Sequence, residues 1–240
     1  MTRPITKVAT IDKKLFAEVK KRGLNIGAHR SAVDGMCAME AFSYIRRIPF
    51  TDRPPCVSPV IAGFMRNWND GLSDGDRSIL IPLLPGLIDT VNPALEDRRS
   101  MMCADWLVRV HTPAWLRLAG LIDNAEALEA LPEITSMARV PSIRGPLEAA
   151  RKNASAARAA AGYAAGAAAW AAAGYAAGAA ARAAAGAAAW AAAWDAAWAA
   201  ARAAAGAAAG AAAKAKLAPT KTLLQKSAVE LVKRMCAVSA

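Results

Sequence analysis

Between Arg158 and Lys214, every fourth residue interrupts an otherwise nearly pure alanine chain. The interrupting positions are Arg158, Gly162, Gly166, Trp170, Gly174, Gly178, Arg182, Gly186, Trp190, Trp194, Trp198, Arg202, Gly206, Gly210 and Lys214. Tyr163, Tyr175 and Asp195 are the remaining exceptions. Alanine is the strongest helix former, so this register predicts helix over 146–217. Four residues turn an ideal helix by about 400°, which moves each interrupting residue about 40° round from the last. The stripe therefore circles the helix once in roughly 36 residues, too steeply for one two-helix coiled coil along the whole length. Such a helix has to change neighbours, break at glycines, or pack on all sides within a bundle or assembly. Each glycine on the stripe costs up to about 1 kcal/mol relative to alanine. Close backbone approach offsets that cost where small residues meet a partner helix. Gly162, Gly166, Trp170, Gly174, Gly178, Gly186, Gly206 and Gly210 form the expected packing interface, with another copy of the chain as the expected partner.

The composition divides the chain. Residues 1–150 carry 19 Lys and Arg against 17 Asp and Glu, whereas residues 151–240 carry 11 against 2. The net charge of +11 thus belongs mostly to the tail. A basic tail admits a nucleic-acid or nucleotide partner. Its charges are sparse compared with those of dedicated DNA-binding arms. Three regions follow: a helical head over 1–145, an alanine-rich helical packing segment over 146–217, and a C-terminal amphipathic helix over 218–240. The expected class is all-α: a compact multi-helix head, a long Ala-rich helical segment and a short C-terminal helix.

The head shows repeated helix signals and no convincing strand. Residues 11–22 place Ile11, Leu15, Phe16 and Val19 on one face and stop at Gly23. Asp34 is positioned to cap a helix to about Arg47, with Ala38, Ala41, Phe42 and Ile45 inward. Ser58-Pro59, Asn92-Pro93 and Thr112-Pro113 are each a capping residue followed by proline at the first helical position. The first starts a helix that buries Ile61, Phe64 and Trp68, the second one with Leu95, Met102, Cys103, Trp106, Leu107 and Val110 on one side, and the third one that ends at Gly120. A short helix begins at Asp123 or Asn124, and Gly145-Pro146 opens the helix that leads into the alanines. After Pro219, Leu224, Ala228, Leu231 and Met235 share one face.

Candidate chemistry is thin. Cys37, near a helix N-terminus that lowers a thiol pKa, is the best nucleophile candidate, with His29 as its base; the alternative is a buried helical thiol. Metal binding by Cys37, Cys56, His29 and His111 has suitable ligand types but no motif spacing, and no metal or cofactor is expected. Glu40, Asp52, Asp70 and Asp105 are scattered and read as caps and solvated faces. Phosphate-loop, dinucleotide, hydrolase-elbow and zinc-protease motifs are absent. The row Trp190, Trp194, Trp198, Arg202 is the candidate ligand platform, because i, i+4 side chains touch and stacked aromatics with arginine bind bases. The same row also serves as knobs filling holes between alanine helices.

Cys37, Cys56, Cys103 and Cys236 form no CxxC pair, the usage of reduced thiols in a cytoplasmic protein. The N-terminus has no apolar run for a signal peptide. Residues 159–181 carry no charge over 23 positions but lack Leu, Ile, Val and Phe, so no membrane span is expected.

The stretches DGMCAMEAFSY (34–44), PPCVSPVIAGFMRNWND (54–70) and ADWLVRVHTPAWLRLAGL (104–121) together resemble a group of uncharacterised proteins of actinobacteria, other bacteria and their phages. Members of that group also carry Ala-rich C-terminal segments with Trp, Asp, Arg and Gly at four-residue spacing. The resemblance implies a bacterial or phage setting and carries no catalytic role onto any residue. The leading expectation is a non-enzymatic structural or interaction protein that self-associates through the alanine segment. A nucleotide- or nucleic-acid-binding protein and a cysteine-dependent enzyme at Cys37 are the alternatives.

Overall fold

A computed structural model describes residues 11–161 and 211–239. These residues are all-α, and no strand occurs among them. Helix α1 spans Lys13–Arg22. Asp12 caps it by accepting from Lys14 N–H and Leu15 N–H, and Gly23 ends it at φ 79°, a conformation open to glycine. Helix α2 spans Ala38–Ile45 and buries Ala38, Ala41, Phe42 and Ile45, the face the sequence predicts. It starts later than expected. Cys37, not Asp34, is its N-cap, because Glu40 three residues on closes a capping box with Cys37.

Helix α3, Pro59–Gly71, starts at the predicted cap: Ser58 Oγ accepts from Ile61 N–H, and Ile61, Phe64 and Trp68 turn inward. A 3-10 helix over Arg77–Leu87 follows, with Pro82 and Pro85 inside it. It buries Leu80, Ile81, Leu83, Leu84 and Leu87. A single 3-10 turn, Pro93–Leu95, leads from the Asn92 cap into α4, Glu96–Trp106.

The predicted break at Thr112-Pro113 is not a break. A π-turn over Leu107–His111 joins α4 directly to α5, Thr112–Leu118. Both the N–H and the hydroxyl of Thr112 donate to Leu107 C=O. The wider turn gives room to Pro113, which has no N–H and whose ring crowds the preceding turn of a regular helix. Helix α6 spans Ile122–Glu129.

Helix α7 runs over Val140–Ala161 and so begins before the predicted Gly145-Pro146 start, with Pro146 in its second turn. Ile143, Leu147, Ala150 and Ala154 form its buried stripe. Helix α8 runs over Ala211–Ala237 and passes through Pro219 without ending. The expected boundaries at 145 and 217 therefore both fall inside helices.

Two apolar clusters fill the head. The first gathers α2, α3 and the 3-10 helix around Ala228, Leu231, Val232 and Met235 of α8. The second gathers α4 to α7 around Trp115, Leu116 and Leu128, with Leu224 of α8. The C-terminal helix is thus part of the head's core. A buried arginine locks it there: Arg99 donates to Met235 C=O (3.0 Å), Thr90 C=O (2.6 Å) and the Glu96 carboxylate (2.7 Å). Both flanks of the alanine segment, α7 and α8, are seated in the head.

Candidate functional site

The side chains singled out around Cys37 meet on Glu40. This carboxylate is 2 % exposed and lies one turn into α2. It accepts from Cys37 N–H (2.8 Å), His29 N–H (2.6 Å) and the His29 ring (2.8 Å). Because a carboxylate only accepts, the His29 proton sits on Nδ1. Burial raises the Glu40 carboxyl. The hydrogen bonds from His29 and Cys37 outweigh burial and hold it below the usual carboxylate range.

Loop 24–36 is laid over this centre. Asn25 N–H donates to Met36 C=O (2.7 Å), and Asn25 Oδ1 accepts from Met36 N–H (3.2 Å). From α3, Asn69 donates to Asn25 C=O (2.8 Å) and accepts from Ala38 N–H (3.2 Å), while Asp70 accepts from Gly27 N–H (2.8 Å). Gly35 closes the loop at φ 142°, and a Cβ there would lie 2.7 Å from His29 Nε2 and Cδ2. Only a residue without a Cβ leaves room for the His29 ring at this point of the loop.

Cys37 is not the activated thiol that its place before a helix suggests. Burial, with the Glu40 carboxylate alongside, pushes its pKa up to about 12. Its sulfur accepts weakly from Glu40 N–H at 3.5 Å. The sequence pairs Cys37 with His29 as nucleophile and base; the structure joins them only through Glu40, as a latch that ties loop 24–36 to α2 and α3. The sequence reads Glu40 only as a cap or solvated-face acid; it is a capping acid, and its further part in joining His29 to Cys37 is what sequence reasoning missed. The signal of the cap was the position three residues after Cys37, an E closing a capping box on an unusual cap.

His111 lies elsewhere, in an aromatic row that links the two clusters. Phe64 meets Trp106 edge-on (5.7 Å), Trp106 meets the His111 ring (5.0 Å), and His111 meets Trp115 (6.3 Å). Trp115 Nε1–H donates to His111 Nε2 (3.3 Å), and buried Nδ1 has no protein partner. Burial drives the His111 pKa down to about 3, so the ring is neutral. The adjoining cavity, walled by Trp68, Trp106, Trp115 and Ala228, has a volume of about 30 Å³, enough for water but not for an organic ligand.

Cys56, weighed above as a metal ligand, is half-buried and free. No group of three or more His, Cys, Asp and Glu side chains suited to a metal ion occurs among the described residues. No helix among them is long and apolar enough to cross a membrane. Gly162, Gly166, Trp170, Gly174, Gly178, Gly186, Gly206 and Gly210, and the row Trp190, Trp194, Trp198 and Arg202, lie outside the described residues. Comparison of the chain with protein-family models, with curated proteins and with solved structures gives no match.

Proposed function

We propose that this chain is a non-enzymatic structural or interaction protein that self-associates through its alanine–glycine segment, in the cytoplasm of a bacterium or of a phage-infected cell. The observation that carries the reading is the four-residue register from Gly162 to Gly210, in which glycine holds seven of thirteen positions and alanine fills nearly all the residues between. Small residues at such spacing let backbones approach closely, and that contact offsets the propensity cost of the glycines. The head supports the reading by holding both flanks of the segment in its core, through Leu147, Ala150 and Ala154 of α7 and Leu231 and Met235 of α8. It offers no activated thiol at Cys37. The test is to replace Gly166, Gly174 and Gly178 by leucine and to measure mass by light scattering. The triple variant should lose the self-association of the parent chain. A variant that keeps the parent's assembly state overturns the reading.

The spacing of Trp190, Trp194, Trp198 and Arg202 favours a second reading, a platform on which nucleotide bases stack. The two readings separate on Trp194→Ala. Loss of assembly or melting temperature supports packing. Loss of a raised 260-to-280 nm absorbance ratio with assembly intact supports the platform.

A further inference from the structure

Charge is segregated within the head. Residues 1–47 carry ten Lys and Arg against four Asp and Glu, a net of +6, whereas residues 48–150 carry nine against thirteen, a net of −4. Several ionised side chains on the described surface pair with one another, Arg47 with Asp12, Arg22 with Glu18, Arg117 with Glu129, Lys221 with Asp76 and Lys233 with Glu230, while other exposed ones, such as Arg30 and Arg53, form no ion pair among the described residues. Helix α1 gathers several such unpaired cations on one short element. Lys13, Lys14, Lys20 and Lys21 are exposed, and none of them has an acidic partner among the described residues. Lys20 instead lies over the Phe16 ring, 4.5 Å from its centre.

The four lysines fall within an arc of about 120°, with only Ala17 between them. From Lys13 to Lys21 they cover about 12 Å of helix axis. The opposite face, with Val19 buried and Leu15 and Phe16 half-buried, is packed on the core. Lys13 and Lys14 also sit in the first turn, which carries no acid, where the helix dipole disfavours cations. Lys20 and Lys21, in the last turn, suit the dipole, so helix stability accounts for those two and not for Lys13 and Lys14.

We infer that the lysine face of α1 is a docking surface for the phosphate backbone of a nucleic-acid duplex. Duplex DNA carries one charge per about 1.7 Å of axis, so the length of this face meets several phosphates at once. Lysine is a flexible point charge suited to phosphates without fixed geometry, and it is depleted from protein–protein interfaces. The exposed arc holds no apolar side chain larger than that of Ala17 to enter a bilayer, which sets it apart from interfacial membrane helices. No group on it reads a base, so binding is independent of sequence. This inference does not rest on self-association, and it uses none of the residues of the tryptophan row.

The test is fluorescence anisotropy of the full chain with a labelled duplex across a salt series. The probes are the parent chain, a variant with Lys13, Lys14, Lys20 and Lys21 changed to Gln, the same four changed to Arg, and a tail variant carrying Arg202→Gln, Lys214→Gln and Lys216→Gln. Four phosphate contacts contribute about 3.6 to the magnitude of the slope of log K against log salt. The Gln variant should lose that much slope and bind at least roughly tenfold more weakly at low salt. The Arg and tail variants should keep most of the binding. Circular dichroism checks that the Gln variant keeps its helix content; if it does not, the single change Lys20→Gln should lower the slope by about 0.9. An unchanged slope in the Gln variants, loss confined to the tail variant, or binding to phosphatidylserine vesicles without binding to duplex overturns the inference.

Discussion

Acidification isolates the burial of His111. In the folded chain the ring is neutral, with a pKa near 3; in the unfolded chain it takes the ordinary value of 6.5. As the pH falls below 6.5, the unfolded chain binds a proton that the folded chain refuses, so stability falls with pH until about 3. The slope is about 1.4 kcal/mol per pH unit. Between neutrality and about pH 5 the loss from this one group is about 2 kcal/mol. His111→Phe removes it. The variant carries a fixed penalty of about 1–3 kcal/mol, because the Trp115 indole N–H loses its acceptor, but that penalty does not change with pH. Urea denaturation followed by far-ultraviolet circular dichroism, repeated from about pH 7.5 to 5, should show the stability gap between the two proteins closing by about 2 kcal/mol. Other acid-sensitive groups are common to both proteins and cancel in the difference. Parallel curves would mean that His111 is protonated or solvated in the folded state, and the reasoning from its burial would be wrong.

Three further outcomes follow from the Glu40 latch. Glu40→Ala leaves the His29 and Cys37 N–H groups and the His29 ring without their acceptor and should cost about 3–5 kcal/mol in chemical denaturation; Glu40→Gln, which keeps an acceptor, should cost less. Gly35→Ala forces a Cβ against His29 at a backbone angle that disfavours side chains, with an expected cost of roughly 1–3 kcal/mol in the same assay. A thiol-reactive probe at neutral pH should modify Cys37 only as fast as the chain opens, with half-buried Cys56 reacting first, and Glu40→Ala should speed the Cys37 reaction.

Much of the head is written in local chemistry. Gly23 ends α1, and Ser58-Pro59 and Asn92-Pro93 start helices where they stand, because caps and prolines act on their own few residues. The inward faces of α2, α3 and the C-terminal helix follow from helical periodicity for the same reason. The misreadings occur where a distant partner or neighbouring geometry decides. Thr112-Pro113 carries a start signal, yet Thr112 spends its hydroxyl on Leu107 C=O inside a continuous helix. The Arg77–Leu87 helix has prolines at 82 and 85 and no clear period, so nothing in its sequence announces it. The His29–Glu40 contact spans eleven positions and the Arg99–Met235 contact 136, separations at which no spacing rule applies. The same distance effect reverses the expectation for Cys37: the helix N-terminus lowers a thiol pKa, but surrounding apolar side chains and the Glu40 carboxylate raise it more.

The claim of self-association is tested most directly by sedimentation equilibrium of the unmodified full chain over a wide range of concentration. The account predicts a mass above the 24.9 kDa of one chain, rising with concentration toward a whole multiple of it. A mass of 24.9 kDa at every concentration would contradict it.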